Sequence, residues 1–318
     1  MTSVIFIIIG IALVLHGADK MTDGAAAIAR HLGVPQMVVG LTVVALGTSM
    51  PEFFVSLVSA LKGTPDMALG NVVGSNIFNT TITVGVAAVV TPIAISRSTV
   101  RKDIPFAVAS ALMLAGMCLD GRLSRTDGIV LFAVFIVFMA YTLYSGVTNR
   151  KKKTGDGNET RAQQETGGHA VARCVFFVFL GLVELIIGGN IFVSGATDMA
   201  RMLHVSEAVI GLTVVAGGTS LPEMATTIVA ARKGRSEIAI GNVIGSNVFN
   251  ILMIAGITSM ISPLSINGIT TADMSVVLVS GVLLWLMSYT KYTLERWEGC
   301  LLTVLFIAYI TWLIYNLP

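Results

Sequence analysis

Two glutamates stand inside apolar stretches of a sequence that is otherwise poor in charge. Glu52 and Glu223 each end a Gly-Thr-Ser-x-Pro-Glu motif, and the residues on both sides are mostly apolar. A carboxylate inside a bilayer costs at least about 2.5 kcal/mol, so a purely structural role for both glutamates is disfavoured. Carboxylate, hydroxyl, amide and carbonyl oxygens together form a cage that suits hard cations such as Na⁺ and Ca²⁺. The chemistry to expect is the binding of a cation.

Hydroxyl and amide side chains accompany each glutamate. Ser49 and Thr48 precede Glu52 by three and four residues, so the three side chains share one face of a helix. The same spacing recurs before the second glutamate, and the next apolar segment of each half adds polar residues at intervals of four. These further residues are Thr219, Ser220, Asn71, Ser75, Asn79, Asn242, Ser246 and Asn250. Any one of the hydroxyls alone is typically structural, because Ser and Thr in apolar helices often bond their own backbone.

Pro51 and Pro222 lie directly before the two glutamates. A proline cannot donate a hydrogen bond to the carbonyl four residues earlier, so the carbonyls of Gly47 and Gly218 are released. The glycines themselves loosen the same turn. We therefore expect the helix to be broken at both motifs.

The composition identifies the solvent in which these segments lie. Of 318 residues, 54% are hydrophobic and 12% are charged, about half the charged fraction of soluble domains. The mean hydropathy of +0.84 is typical of an integral membrane protein. The lipid bilayer is therefore an expected interaction partner. A soluble enzyme is nearly excluded, and the net charge of +2 is too small to indicate binding to nucleic acid.

The apolar runs predict ten transmembrane helices. A span needs about 20 mainly apolar residues. Residues 20–32 and 191–203 are expected to be amphipathic continuations of the first and sixth spans. The predicted spans are 3–19, 35–61, 66–92, 104–119, 126–146, 171–190, 207–231, 236–261, 271–289 and 299–316. The expected fold class is an all-α integral membrane protein.

The basic residues predict the orientation in the cell (inner or plasma) membrane. When the connections are assigned alternately to two faces, sixteen Lys and Arg residues fall on one face and four on the other. By the positive-inside rule the basic face is cytoplasmic, and both termini lie outside. The polar stretch 147–170 is predicted to be a flexible cytoplasmic linker. It separates two five-helix domains, residues 1–146 and 171–318.

The two halves are an internal repeat. Residues 36–85 align without a gap with residues 207–256 at a constant offset of 171, and 26 of the 50 aligned positions are identical. Because each half has an odd number of spans, the second half is predicted to enter the membrane from the opposite side. Equivalent residues, including the broken helices, then meet near the midplane, where many secondary transporters bind their substrates.

These motifs resemble the α-repeats of the cation/Ca²⁺ exchanger superfamily, specifically of the short ten-span prokaryotic sodium/calcium exchangers. The resemblance covers nearly the whole chain and rests on GLTVVALGTSMPE with GNVVGSNIFN and on GLTVVAGGTSLPE with GNVIGSNVFN. It implies ten helices in two inverted five-helix repeats, with cation sites between helices 2, 3, 7 and 8. It also implies that helices 1 and 6 form a long, tilted pair that slides to switch access.

The resemblance further implies a set of ligands, in which Glu52 and Glu223 are the shared acidic members. Some exchangers have an aspartate at the position of Asn250, whereas both halves here have an amide. The charge of the site is then −2 with both glutamates ionised, which balances one Ca²⁺ and leaves the Na⁺ stoichiometry open. The other implied ligands are the side chains of Ser49, Ser75, Ser220, Ser246, Asn79 and Asn250 and the carbonyls of Ala45, Thr48, Ala216 and Thr219.

The expected function is the exchange of Na⁺ for Ca²⁺ by alternating access, with Ca²⁺ leaving the cytoplasm. Both ions compete for the two glutamates. An empty site holds two uncompensated carboxylates, which disfavours the switch and so enforces exchange. We expect no enzymatic activity and no cofactor. The oligomeric state stays open, and a monomer is compatible with the sequence.

Three alternatives stay open from the residues alone. An H⁺-coupled exchanger of Ca²⁺ or other cations fits the same glutamates, because carboxylates also carry protons. A channel is disfavoured by the two-fold repeat and by the lack of a pore loop of repeated carbonyls. An intramembrane hydrolase needs a nucleophile or a metal-bound water, and the sequence contains no HExxH motif.

Overall fold

The computed structural model describes residues 2–155, 168–203, 216–266 and 269–315. In these ranges the chain is almost wholly helical, which confirms the all-helical character predicted from the apolar runs. The first half contributes α1 (Thr2–Leu32), α2 (Gln36–Thr48), α3 (Met50–Leu61), α4 (Pro65–Val90), α5 (Thr99–Asp120) and α6 (Arg125–Gly155).

The second half repeats the order of the first. Its described helices are α7 (Gly168–Met202), α8 (Ala216–Thr219), α9 (Leu221–Arg232), α10 (Ser236–Ile261), α11 (Thr271–Tyr289) and α12 (Arg296–Tyr315). Among the described residues, eight helices are long and apolar enough to cross a membrane, and α2 with α3 would make a ninth. The protein is thus a multi-pass membrane protein. Residues 207–215 of the predicted seventh span lie outside the described residues.

Within the described ranges, four two-residue strands depart from the all-α prediction. β1 (Ile93–Ala94) pairs antiparallel with β4 (Thr293–Leu294), and β2 (Arg122–Leu123) pairs antiparallel with β3 (Leu264–Ser265). The strands are too short to show the alternation of apolar and polar residues from which a strand is predicted. Each pair joins a connection of the first half to a connection of the second half.

The long helices extend beyond their apolar runs. α1 continues as one helix through its predicted amphipathic part to Leu32, and α7 continues in the same way to Met202. α6 also extends to Gly155, into the stretch predicted as a flexible linker. Arg and Lys, which are frequent there, are good helix formers where a helix reaches water. Residues 156–167, the rest of the predicted linker, lie outside the described residues.

Wide π-helical turns interrupt the helices around the polar stripes. They span Asn79–Thr83 in α4 and Phe249–Ala255 in α10, and a third spans Gly40–Val44 in α2. Asn79 and Asn250, which are equivalent in the repeat, both lie in such turns. Turns of this kind occur frequently at functional sites.

α1 and α7 pack against each other as an antiparallel pair, and glycines let their backbones approach. A Cβ atom on Gly17 would lie 2.6 Å from the carbonyl oxygen of Gly181, so only glycine fits there. The contacts recur every seven residues along both helices. The facing pairs are Ser3 with Gly195, Gly10 with Gly188, Gly17 with Gly181, and Gly24 with Cys174.

α10 lies at the centre of the molecule, and its apolar stretch is completely buried. α2 and α9 pack against it, while α3 packs against α4. The π turn of α4 contacts α9, and the π turn of α10 contacts α3. The π turn at the end of each polar stripe therefore contacts the helix that carries the glutamate of the other half.

Candidate cation-binding site

Both glutamates lie in the first turn of a helix that follows a break. α2 and α3 are bent by 46° relative to each other at Ser49, where the backbone has φ −82° and ψ 5°. Ser220 separates α8 from α9 with nearly the same conformation, φ −90° and ψ 5°. Pro51 and Pro222 follow in the first turn, where a missing N–H removes no helical hydrogen bond. The predicted interruptions are therefore present at both motifs.

Each of these two serines contacts the glutamate of the other half. Ser49 Oγ donates to Glu223 Oε1 at 3.0 Å, and Ser220 Oγ donates to Glu52 Oε1 at 3.1 Å. All four residues are fully buried. Although Ser49 lies only three residues before Glu52, its hydroxyl binds the opposite carboxylate. The structure thus brings the two motifs together in one cluster.

Several other polar atoms of this cluster are buried without a hydrogen-bond partner. They include Oε2 of Glu52, Oε2 of Glu223, and both the oxygen and the nitrogen of the Asn79 and Asn250 side chains. Buried polar atoms in proteins nearly always have partners. Unsatisfied oxygens at equivalent positions of the two halves are suited to a cation that supplies the missing interactions.

Two asparagines brace the helices that carry the glutamates. Asn71 Nδ2 donates to the carbonyl oxygen of Glu52 at 3.1 Å and to Ser56 Oγ at 2.9 Å. Asn242 Nδ2 donates to the carbonyl oxygen of the other glutamate at 3.2 Å and to Thr227 Oγ1 at 3.0 Å. The sequence places both asparagines in the polar stripes, but it assigns no role to Ser56 and Thr227. Both could have been found from the sequence, because each is a hydroxyl residue four positions after a glutamate and the two are equivalent in the repeat.

The predicted ligands around Thr48 also contact one another. Thr48 Oγ1 donates to Asn242 Oδ1 at 3.1 Å and lies 3.5 Å from Ser246 Oγ. Thr48 and Ser246 both interact with the Glu223 carboxylate. The carbonyl oxygen of Ala45 accepts the N–H of Ser49 at 3.0 Å and lies 3.4 Å from the Thr48 hydroxyl oxygen.

Fewer contacts are defined for the remaining predicted ligands. Ser75 is buried on α4, on the same helix as Asn79. Thr219 is half-buried at the end of α8, and its side chain interacts with the Glu52 carboxylate. Ala216 begins α8, and its side chain lies outside the described residues.

Ion pairs attach α1 to the connection between α9 and α10. Lys233 Nζ lies 2.5 Å from Asp19 Oδ1 and 2.9 Å from Asp23 Oδ1, and Arg235 Nη1 lies 2.6 Å from Asp23 Oδ1. At the offset of the repeat, Asp19 and Asp23 correspond to a neutral asparagine and a neutral serine, Asn190 and Ser194. These pairs therefore have no counterpart between α7 and the connection from α3 to α4.

Comparison with known proteins gives consistent matches over the whole chain. A family model described as sodium/calcium exchanger protein matches residues 2–144 and 174–315. The chain is 34% identical to inner membrane protein YrbG of Escherichia coli (strain K12), over 98% of this chain and 97% of that protein. It is 29% identical to sodium/calcium exchanger MaX1 of Methanosarcina acetivorans, over 98% of each chain.

A solved structure of a similar protein has the same fold. The sodium-calcium exchanger NCX_Mj, soaked with 10 mM Na⁺ and zero Ca²⁺, superposes with a TM-score of 0.84. The sequence identity is 31%, and the match covers 98% of both chains.

Proposed function

The chain belongs to the sodium/calcium exchanger protein family, and from this premise we propose that it exchanges Na⁺ for Ca²⁺ across the membrane by alternating access. In the normal direction Ca²⁺ leaves the cytoplasm. The family consists of transporters, not enzymes. The observation that carries the proposal is the pair of reciprocal hydrogen bonds, Ser49 to Glu223 and Ser220 to Glu52, which join two fully buried carboxylates in one cluster.

The proposed cation ligands surround these two carboxylates. Support comes from the unsatisfied Oε2 atoms of Glu52 and Glu223 and from the unsatisfied amides of Asn79 and Asn250. The proposed set is completed by the hydroxyls of Ser49, Ser75, Ser220 and Ser246 and by the backbone carbonyls of Ala45, Thr48, Ala216 and Thr219.

The charge of this site favours exchange over leak. Two ionised glutamates balance one Ca²⁺, and the amides of Asn79 and Asn250 add no charge. Na⁺ and Ca²⁺ then compete for the same carboxylate oxygens. A site without a cation holds two uncompensated buried charges, which disfavours passage through the occluded state.

The proposed topology is ten spans in two inverted five-helix repeats, with both termini outside and residues 147–170 cytoplasmic. Several contacts support it. The connections joined by β1 with β4 are both predicted to be cytoplasmic, and those joined by β2 with β3 are both predicted to lie outside. The acidic residues of α1 and the basic residues at 233–235, which form ion pairs, also share a predicted face. The antiparallel packing of α1 against α7 agrees with opposite entry of the two halves.

Flux measurement in proteoliposomes tests the function. Na⁺-loaded vesicles are diluted into Na⁺-free medium that contains radiolabelled Ca²⁺, and we expect uptake that requires the outward Na⁺ gradient. H⁺ and K⁺ gradients are imposed separately, and neither alone is expected to drive uptake. Uptake driven by a pH gradient without Na⁺ would instead identify an H⁺-coupled exchanger.

The variant Glu52→Gln tests the site in the same vesicles. It keeps the size of the side chain and removes its charge, so we expect loss of Na⁺-dependent uptake. Glu295→Gln is the matched control, because Glu295 is exposed and lies in the connection before α12. Normal uptake by Glu52→Gln would overturn the assignment of the site.

A further inference from the structure

A groove of about 480 Å³ lies between α5 and α6, and none of the residues that line it belongs to the glutamate cluster. Its volume falls in the range of ligand pockets, about 300–1,000 Å³. Val134 and Val137 line it, and Phe106 stacks on Phe138 with ring centroids 4.6 Å apart. A groove with these walls accepts a hydrocarbon chain.

Two opposite charges lie at one end of this apolar groove. Lys102 and Asp103 are adjacent in the chain, and both line it. Lys102 Nζ is exposed and lies 3.3 Å from Tyr141 Oη, which holds the ammonium at the rim. Asp103 is half-buried, and its carboxylate interacts with the buried hydroxyl of Thr99. The rim thus presents one cation and one anion side by side.

We propose that the groove binds one phospholipid with a primary-amine zwitterionic headgroup, a phosphatidylethanolamine. An acyl chain lies along the phenylalanine and valine side chains. Lys102 binds the phosphate, assisted by the Tyr141 hydroxyl, and Asp103 accepts hydrogen bonds from the ammonium group.

The pairing of charges distinguishes this lipid from other common ones. A phosphatidylglycerol headgroup has a phosphate for Lys102 but no cation for Asp103. A phosphatidylcholine headgroup has a cation, but its three methyl groups leave no N–H to donate to the carboxylate. Of these three headgroups, only phosphatidylethanolamine satisfies both charges with hydrogen bonds, and it offers three N–H donors to the carboxylate.

The positions of Lys102, Asp103 and Tyr141 along their helices suit contact with a lipid headgroup. Asp103 lies near the start of α5, and Tyr141 lies in the last third of the apolar part of α6, which ends at Thr148. Tyrosine and lysine are frequent at membrane interfaces, where an apolar body and a polar tip are both accommodated.

Lipid binding to the unmodified protein is the first test. The purified chain in detergent is titrated with phosphatidylethanolamine and its N-methyl, N,N-dimethyl and trimethyl (phosphatidylcholine) forms with identical acyl chains, and retention is measured by native mass spectrometry. We expect one bound molecule and about a tenfold loss of affinity on full methylation, equivalent to about 1.4 kcal/mol. Phosphatidylglycerol is expected to bind as weakly as phosphatidylcholine. Equal binding of all these lipids would overturn the proposal.

Two variants test separately whether Asp103 binds the ammonium group and whether Lys102 binds the phosphate. Asp103→Asn is expected to abolish the preference for the primary amine while phosphate-dependent binding persists, and Lys102→Gln is expected to weaken all the lipids. Val137→Trp fills the exposed part of the groove and should reduce retention of every lipid. The matched control, Asp120→Asn, changes an exposed carboxylate at the other end of α5 and should bind as wild type does. If Asp103→Asn folds and still prefers the primary amine, Asp103 does not bind the ammonium group. If that variant does not fold, the comparison of the methylated lipids on the unmodified protein tests the proposal alone.

Discussion

The hydroxyl of Ser49 donates to the carboxylate of Glu223, 174 positions further along the chain, at a distance of 3.0 Å. Ser220 and Glu52 form the equivalent bond at 3.1 Å in the opposite direction. Each bond joins the helix break of one half to the carboxylate of the other half. Neither motif therefore forms a complete site alone, and the first two predictions below follow from this mutual dependence.

The two glutamates are expected to be equally important. Glu223→Gln should lower Ca²⁺ affinity about 10- to 100-fold and should resemble Glu52→Gln, because each removes one of two buried charges facing the cation. Ca²⁺-dependent uptake at graded Ca²⁺ concentrations measures the effect, with Glu295→Gln as control. A large effect of one variant and none of the other would contradict a shared site.

The reciprocal serines are expected to matter more than other buried serines. Ser49→Ala and Ser220→Ala each leave a carboxylate oxygen without its donor, which costs about 1–3 kcal/mol and should lower affinity about 5- to 100-fold. Ser110→Ala is the control, since that buried hydroxyl bonds only the Phe106 carbonyl of its own helix. Equal Ca²⁺ affinity of all three variants in the same uptake assay would contradict a role of the reciprocal hydrogen bonds in the site.

Adding a third carboxylate should change the coupling. Asn250→Asp puts a carboxyl group where the structure has a fully buried amide with no hydrogen-bond partner. A site charge of −3 requires one more cation, so uptake should become more dependent on pH between about 5 and 8 or on Na⁺ concentration. Flux at graded pH and Na⁺ measures this. The control Asn190→Asp adds a charge at an exposed position of α7 and should leave both dependences unchanged.

The packing of α1 against α7 should tolerate no added methyl group. A Cβ at Gly17 would lie 2.6 Å from the Gly181 carbonyl oxygen, so Gly17→Ala should destabilise the protein by about 1–3 kcal/mol. Gly116→Ala is the control, because a Cβ there meets no atom within 4 Å and alanine favours the helix. Thermal unfolding in detergent is monitored by size-exclusion chromatography. The midpoint temperature should be lower than that of the wild type for Gly17→Ala but not for Gly116→Ala.

Cross-linking tests whether α1 moves during transport. With the three native cysteines replaced, a short bifunctional thiol reagent joins Cys residues introduced as Asp23→Cys and Lys233→Cys, whose side chains form an ion pair at 2.9 Å. We expect cross-linking to stop Na⁺-dependent Ca²⁺ uptake. The control pair, Lys291→Cys with Glu295→Cys, lies within one connection and should transport normally after cross-linking. Undiminished uptake by the cross-linked Asp23–Lys233 pair would show that α1 need not move.

The sequence predicts the constituents of the site but not its pairing. The motifs identify Glu52, Ser49 and Asn79 because polar residues are conspicuous in apolar segments, and Pro51 locates the break because proline removes a backbone donor. Helical spacing places Ser49 on the same face as Glu52, yet its hydroxyl binds Glu223. Which carboxylate it reaches depends on how two distant helices pack, and this is not encoded in local spacing.

Features that depend on tertiary contacts were likewise not predictable. The π turn at Asn79–Thr83 shifts the backbone hydrogen-bond pattern without any proline or glycine inside it. The extension of α6 to Gly155 falls in a stretch whose polar composition indicates a linker. The groove beside α5 depends on how α5 packs against α6, where Phe106 stacks on Phe138, and the apolar pattern does not predict this pairing.

The seven-residue series of contacts between α1 and α7 has a consequence for the origin of the chain. Applying the offset of the repeat converts the pair of Gly10 with Gly188 into the pair of Gly181 with Gly17, so the interface is carried onto itself. Interfaces of this self-complementary kind are isologous, and they are the kind that two identical subunits form around a two-fold axis. An ancestral five-helix polypeptide with such a surface could pair with a copy of itself. Duplication and fusion of its gene would then give one chain with this self-matching interface.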